Sequence, residues 1–421
     1  MGITLMEVGK YRRREQQTQS YCLSYKPVTK KSRSTQTEIA VQREFSKAQD
    51  AQGWKTFDVP IALDVEFIFA SEDKTLPTPQ QSAKYLLDLL ARPIRESRIN
   101  KQYLLYPDDS FVKLLYVSCF YRQGARDQVW LHARPINALR ADLALVKRIY
   151  SGGFDGQPDY HPDSDLEELL ARFIPQDRHV EMEENRRQYE DWMSKEKGIR
   201  KHFGNGNFEL EQARLLKVIQ EAFLSFSSLT LSDWAKLLID RRPTRMSGKT
   251  LGTMGLGVNS FSQIAAQSRR LVISQPLALD LRHVRRGKEL KEITKDMLER
   301  FKNTYPILFP LLPQVDLTLF LSPARNGPPI DLDNIALDVV GAAAPILAAP
   351  STLQEALGLE SPITASDNAI RSFHVVQLPR RRGDPLEGYV KVMVTGGELL
   401  PKSIMHATGE ILDAWEKCVE I

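Results

Sequence analysis

The sequence predicts an α/β (α+β) chain of two tandem modules, each a small mixed sheet with helices, separated by a helical insert. Three observations carry this. Short segments of period-two apolar alternation, such as "VPIALDVEFIFAS" and "PQVDLTLFLSP", read as strands. Amphipathic segments lie between them. The order strand, helix, strand, helix, hairpin occurs twice, far apart along the chain.

In the first copy "YCLSYKPVTKKSRSTQTEIAVQREFSKA" gives a short strand, a basic loop and a helix. After the strand "VPIALDVEFIFAS" comes a Pro-containing turn into an apolar helix, "LPTPQQSAKYLLDLLARPI". A carboxylate turn then leads into paired strands, "YPDDSFVKLLYVSCFYRQGARDQVWLHA". The second copy runs "LVISQPLALDLRHVRRGKELKEITKDMLERF", "PQVDLTLFLSP", "GPPIDLDNIALDVVGAAAPI" and "TASDNAIRSFHVVQLPRRRGDPLEGYVKVMV", with a Gly/Pro/Asp hairpin signal in the last. The copies span 18–150 and 266–396. Between them, 151–265 opens as a Gly/Pro/Asp-rich linker and continues as charged helical pattern, and 397–421 closes the chain with a helix.

The 421 residues suit two or three domains, and 42% hydrophobic with 26% charged residues is ordinary for a globular protein. Cys22, Cys119 and Cys418 lie far apart, which excludes a disulfide framework and a Cys zinc site and fits a reducing cytoplasm. The N-terminal segment lacks the apolar core of a signal peptide, Met6 stands where a myristoylation pattern wants Ser or Thr, and no apolar run spans a bilayer; no membrane partner is expected. The net charge of +4 says little, but its placement says more. Lys26, Lys30, Lys31 and Arg33 crowd one loop, Arg282, Arg285, Arg286 and Lys288 the equivalent loop, and Arg380, Arg381 and Arg382 a hairpin. Recurrence at equivalent places points to nucleic-acid phosphates rather than to solvated loops alone.

Several tempting motifs fail. "SGKTLGTMGLG" has Pro243 where a phosphate loop needs Gly, and helix where it needs a strand. Asp155, Asp159, His161, Asp163 and Asp165 lack the position-by-position pattern of a calcium loop. "DLDN", Asp331 to Asn334, has two readings. One carboxylate or amide would suffice to cap the helix that follows. Two carboxylates spaced by two, with an extended entry, point the same way and repel unless a cation lies between them. Hard oxygen ligands suit Mg²⁺, with Mn²⁺ as a substitute, and Asp367 in the next turn offers a third.

The basic loop, the strand, Asp-x-Asp-Asn opening a helix, and the Asp turn before a hairpin resemble the RusA family of Holliday junction resolvases. The resemblance covers roughly two thirds of the chain. It implies a Mg²⁺-dependent, structure-specific endonuclease acting on branched DNA, working as a homodimer or here as an intramolecular pseudo-dimer, with Asp331, Asp333 and Asp367 as metal-binding catalytic residues and Asn334 in support. The family's Lys falls on Leu337, a departure. The first copy departs the opposite way: Thr78 and Gln80 replace the Asp pair, while Lys84 and Asp109 keep the Lys and the third Asp. The first copy is therefore expected not to hold Mg²⁺, the site to lie within the second with Lys84 and Asp109 as supporting residues, and the first to supply DNA contacts. A mixed site joining Lys84 to the carboxylates of the second copy is the lesser alternative, since the family's sites sit within one module. The alternative is a catalytically inactive nucleic-acid-binding or assembly protein of the same fold.

Overall fold

Ile61–Phe69, Val315–Ser322 and Tyr389–Gly396 are buried at nearly every position, as strands covered on both sides of a sheet require. In the computed structural model, eight strands join into one mixed sheet covered by helices on both faces. The structure describes residues 5–25, 34–69, 78–92, 103–121, 126–150, 217, 220, 224, 231–239, 271–277, 287–304, 309, 311–327, 329–347, 370–380, 386, 388–396 and 403–419.

The first half contains α1 (Leu5–Glu15), β1 (Gln19–Ser24), α2 (Thr35–Gln52), β2 (Ile61–Phe69), α3 (Pro79–Leu90), β3 (Val112–Tyr121), β4 (Gln128–Pro135) and α4 (Ile136–Tyr150). After α5 (Leu231–Ile239) the second half follows: β5 (Leu271–Leu277), α6 (Gly287–Thr304), β6 (Val315–Ser322), α7 (Leu332–Leu347), β7 (Ile370–Gln377), β8 (Tyr389–Gly396) and α8 (Ile404–Val419). Local signals agree with several boundaries. The Ser34 hydroxyl accepts from Thr37 N at the start of α2, and Gly53, at φ 66°, ends it. Pro79 occupies the first turn of α3, where its missing N–H costs nothing.

The strand order is β1-β4-β2-β3-β7-β6-β8-β5. Each half contributes four adjacent strands with the same internal order, and β2–β3 and β6–β7 are the parallel pairs. The halves do not form separate small sheets, as the sequence suggested. They meet edge to edge through antiparallel β3 and β7, where main-chain pairing removes two edges that would otherwise be exposed. Tyr116 and His374 hold equivalent places in the two halves and pair with each other, so a pseudo-two-fold axis passes there.

The two faces differ. α2, α3, α6 and α7 pack one core with Leu63, Val65 and Phe67 of β2 and Leu317 and Leu319 of β6. α1, α4, α5 and α8 pack the other, with Ala62, Leu114, Phe320 and Val376 beneath them. α8 follows β8 as α4 follows β4, so the closing helix completes the second half rather than standing apart. α1, which the sequence pattern did not announce, is tied to α8 by Tyr11 Oη donating to Asp413 at 2.5 Å. α5 is part of the expected insert. Its Trp234 ring stands 5.6 Å from His374 and 5.8 Å from Phe320, over the seam between the halves. The Gly/Pro/Asp linker and the Gly-rich loop after Arg245 lie outside the described residues.

Candidate metal centre

α3 and α7 pack against each other beside the seam. Lys84 and Asp88 of α3 thereby meet Asp333 at the start of α7, and the short 3₁₀ turn Asp109–Phe111 before β3 brings Asp109 alongside. Lys84 Nζ donates to Asp333 Oδ1 at 3.2 Å and to Oδ2 at 3.1 Å. The same ammonium lies 3.0 Å from Asp88 Oδ1, 3.8 Å from Asp331 Oδ2 and 4.0 Å from Asp109 Oδ2. Four carboxylates thus surround one ammonium, and each half of the chain contributes two of them.

This arrangement corrects one expectation. The cluster is not confined to the second half: Lys84, Asp88 and Asp109 of the first half stand beside the Asp331–Asp333 pair of the second. α7 has Leu337 where the motif would place a lysine, and the ammonium beside Asp333 is that of Lys84 across the seam. Asp88, which the motif pattern does not single out, is the fourth carboxylate; its signal was the i, i+4 spacing from Lys84. Asp367 lies outside the described residues.

The capping question resolves in the side-chain geometry. Asp331 precedes α7, but its Oδ2 accepts from the Asn334 side-chain amide, and its Oδ1 is buried with no hydrogen-bond partner. Asp109 Oδ1 is likewise buried and unpartnered. Asp108, not Asp109, caps the 3₁₀ turn, accepting from Ser110 N at 2.8 Å. Two carboxylate oxygens in one cluster are therefore held out of water; a protonated Asp333 shares a hydrogen bond with Asp331, while Asp109 Oδ1 keeps no donor, a costly arrangement unless something else fills the place.

The electrostatics carry the same strain. Burial and the neighbouring Asp331 carboxylate push Asp333, only 1% exposed, well above the usual carboxylate range, with Lys84 partly offsetting them. Burial, then Asp331, raises Asp109 to about 6, again against the pull of Lys84. Burial disfavours the charged form of Lys84, but Asp333 and Asp331 outweigh it and raise its pKa overall. Tyr106 is fully buried nearby; burial and then the charges of Asp109, Asp333, Asp331 and Asp88 hold its phenol protonated.

The donor set fits a small divalent cation. One carboxylate oxygen from each of Asp88, Asp109 and Asp333 lies within 4.8 Å of the others. Oxygens around a Mg²⁺ at about 2.1 Å stand roughly 3–4 Å apart, so a modest inward movement would close the set. Among the described residues this is the only such grouping of three or more.

The expected DNA-binding groups are less visible. Lys26, Lys30, Lys31, Arg33, Arg282, Arg285, Arg286, Arg381 and Arg382 lie outside the described residues. Lys288 is exposed in the first turn of α6. Arg380 donates to Pro323 O at 2.6 Å, which holds its guanidinium against the end of β6. No helix among the described residues is long and apolar enough to cross a membrane. No protein-family model, curated protein or solved structure matches the chain.

Proposed function

We propose that the chain is a Mg²⁺-dependent, structure-specific endonuclease acting on branched DNA, and that its catalytic centre is shared between the two halves. The observation that carries this reading is the convergence of Lys84, Asp88 and Asp109 with Asp331 and Asp333. Carboxylates alone are common on protein surfaces. A buried Asp333 with half-buried Asp88, Asp109 and Asp331, gathered from both halves around a lysine and leaving two oxygens unpartnered, is a donor set suited to metal-assisted phosphodiester hydrolysis. The Asp-x-Asp-Asn resemblance supports the substrate class, and so do the basic loops at equivalent positions.

Mg²⁺ bound there would supply Lewis acidity toward a phosphodiester and its attacking water. Asp88, Asp109 and Asp333 would hold it, with Asp331 beside the set. The chain's own groups have distinct tasks. Asp109 offers its buried, unpartnered Oδ1 as a ligand oxygen. The Lys84 ammonium, kept charged by its neighbours, would face the negative charge that gathers on the phosphate in the transition state. Asp88 holds Lys84 from the next helical turn, and Asn334 holds Asp331.

The test is cleavage of a labelled four-way junction across a Mg²⁺ titration by the wild type and by Asp333→Asn. Cleavage that requires Mg²⁺ and is lost in the variant, with junction binding kept, is expected. Junction binding without Mg²⁺-dependent cleavage in the wild type would leave the non-catalytic binding protein as the better reading.

A further inference from the structure

The pseudo-two-fold axis at the Tyr116–His374 pair maps the site onto a second position. There Asp331 becomes Thr78, Asp333 becomes Gln80, Lys84 becomes Leu337 and Asp88 becomes Gly341, while the counterpart of Asp109, Asp367, lies outside the described residues. The correspondence is physical as well as sequential. A Cβ built on Gly341 would lie 3.9 Å from Gln80 Nε2, so Gln80 and Gly341 are neighbours as Asp333 and Asp88 are. Gln80 is 7% exposed and carries an amide where a buried carboxylate stands on the other side. Leu337 offers no charge to a phosphate. The difference is spread over both helices: α3 lacks the carboxylate pair, and α7 lacks both the ammonium and the carboxylate one turn on.

From this asymmetry we infer that each chain has one divalent-cation centre, built jointly by its two halves, and makes a single incision per encounter with a branched DNA. The inference rests on the nuclease reading and adds its strand stoichiometry. Both halves can face a two-fold-symmetric junction, yet only the strand lying over Asp333 and Lys84 is cut. The cut is a hydrolysis: the oxygen of water bonds to phosphorus, one phosphorus–oxygen ester bond breaks, and the proton passes to the departing sugar oxygen. No redox partner is needed. The strand over Gln80 and Leu337 is held but not cut.

The test counts tightly bound Mn²⁺ per full-length chain by calorimetry and by electron paramagnetic resonance, in the wild type, Asp333→Asn and Asp109→Asn. These two residues belong to different halves. One shared centre predicts that either substitution alone removes all the tightly bound Mn²⁺. Two independent centres predict that each removes about half, and that result overturns the inference while leaving a metal-dependent nuclease intact. Wild-type protein that binds no Mn²⁺ sinks the metal reading itself, and this inference with it. Both substitutions keep side-chain size, and circular dichroism confirms that the variants compared are folded. Strand-resolved labelling of a four-way junction under single-turnover conditions adds a second readout. One nicked strand per bound chain is expected, and paired nicks in wild-type protein that lose only one partner in Asp333→Asn contradict it.

Discussion

Asp333→Asn should make the metal-free protein more stable while abolishing its response to Mg²⁺. Asp333 is almost fully buried beside Asp331, with its carboxyl held well above the usual range. A raised carboxyl binds its proton more tightly in the folded chain than in the unfolded one. Stability therefore falls as pH rises from the ordinary value of 3.8 toward the folded one. With the folded value above the assay pH of about 7, the cost at that pH is set by the distance from 3.8, at about 1.4 kcal/mol per unit. That comes to an upper bound of about 4 kcal/mol. An amide of the same shape escapes this cost. Urea unfolding in EDTA between pH 5 and 8 measures it: the variant should have the higher midpoint at pH 7 and the flatter pH profile. Adding Mg²⁺ at about a hundred times its dissociation constant should stabilise the wild type by about 2.7 kcal/mol and leave the variant unmoved. A variant less stable than wild type at pH 7, or equal stabilisation of both by Mg²⁺, would refute the reasoning.

On the opposite face of the sheet, burial raises Asp64 to about 7, a hydrogen bond to Ser403 works against this and the charge of Glu66 adds to it. Its contribution is also lost as pH climbs from about 4 to 7, so Asp64→Asn should flatten the stability profile across that window; an unchanged slope in urea midpoints would count against the burial argument. Lys84→Met should reduce cleavage by about 100- to 1000-fold through loss of a transition-state cation, with junction affinity kept; full activity would remove Lys84 from the chemistry. Neutralising Arg285, Arg286 and Arg380 should weaken binding to all branched DNA alike and lower the salt slope by nearly one for each phosphate no longer neutralised. Unaltered affinity and slope would make these groups ordinary surface.

The repeated order of elements was legible because each element is announced locally. "VPIALDVEFIFAS" alternates where β2 lies, "TPQQSAKYLLDLL" carries Pro and apolar spacing where α3 lies, and the α7 helix follows "DLDN". What no local pattern records is the pairing of β3 with β7. That long-range pairing turns two small sheets into one and sets α3 against α7, so a site joining Lys84 to the second copy's carboxylates stands in the sequence only as the lesser alternative. Lys84 and Asp333 are 249 residues apart, and within either copy each looks like a remnant of an incomplete motif. α1 was missed because its basic residues dominate a short amphipathic stretch whose Val8 and Tyr11 are the visible packing residues. Asp88 sits in no motif, and an i, i+4 carboxylate and lysine ordinarily form no more than a surface ion pair.

The proposed catalytic centre shared by the two halves is tested most directly by Asp109→Asn, since this carboxylate comes from the half that lacks the Asp pair. Cleavage of a four-way junction, followed across a Mg²⁺ titration for wild type and variant side by side, separates the two outcomes. A centre built by both halves predicts Mg²⁺-dependent cleavage in the wild type and loss of cleavage in Asp109→Asn, with junction affinity retained. Cleavage by Asp109→Asn at the wild-type rate and with the wild-type Mg²⁺ dependence would contradict it.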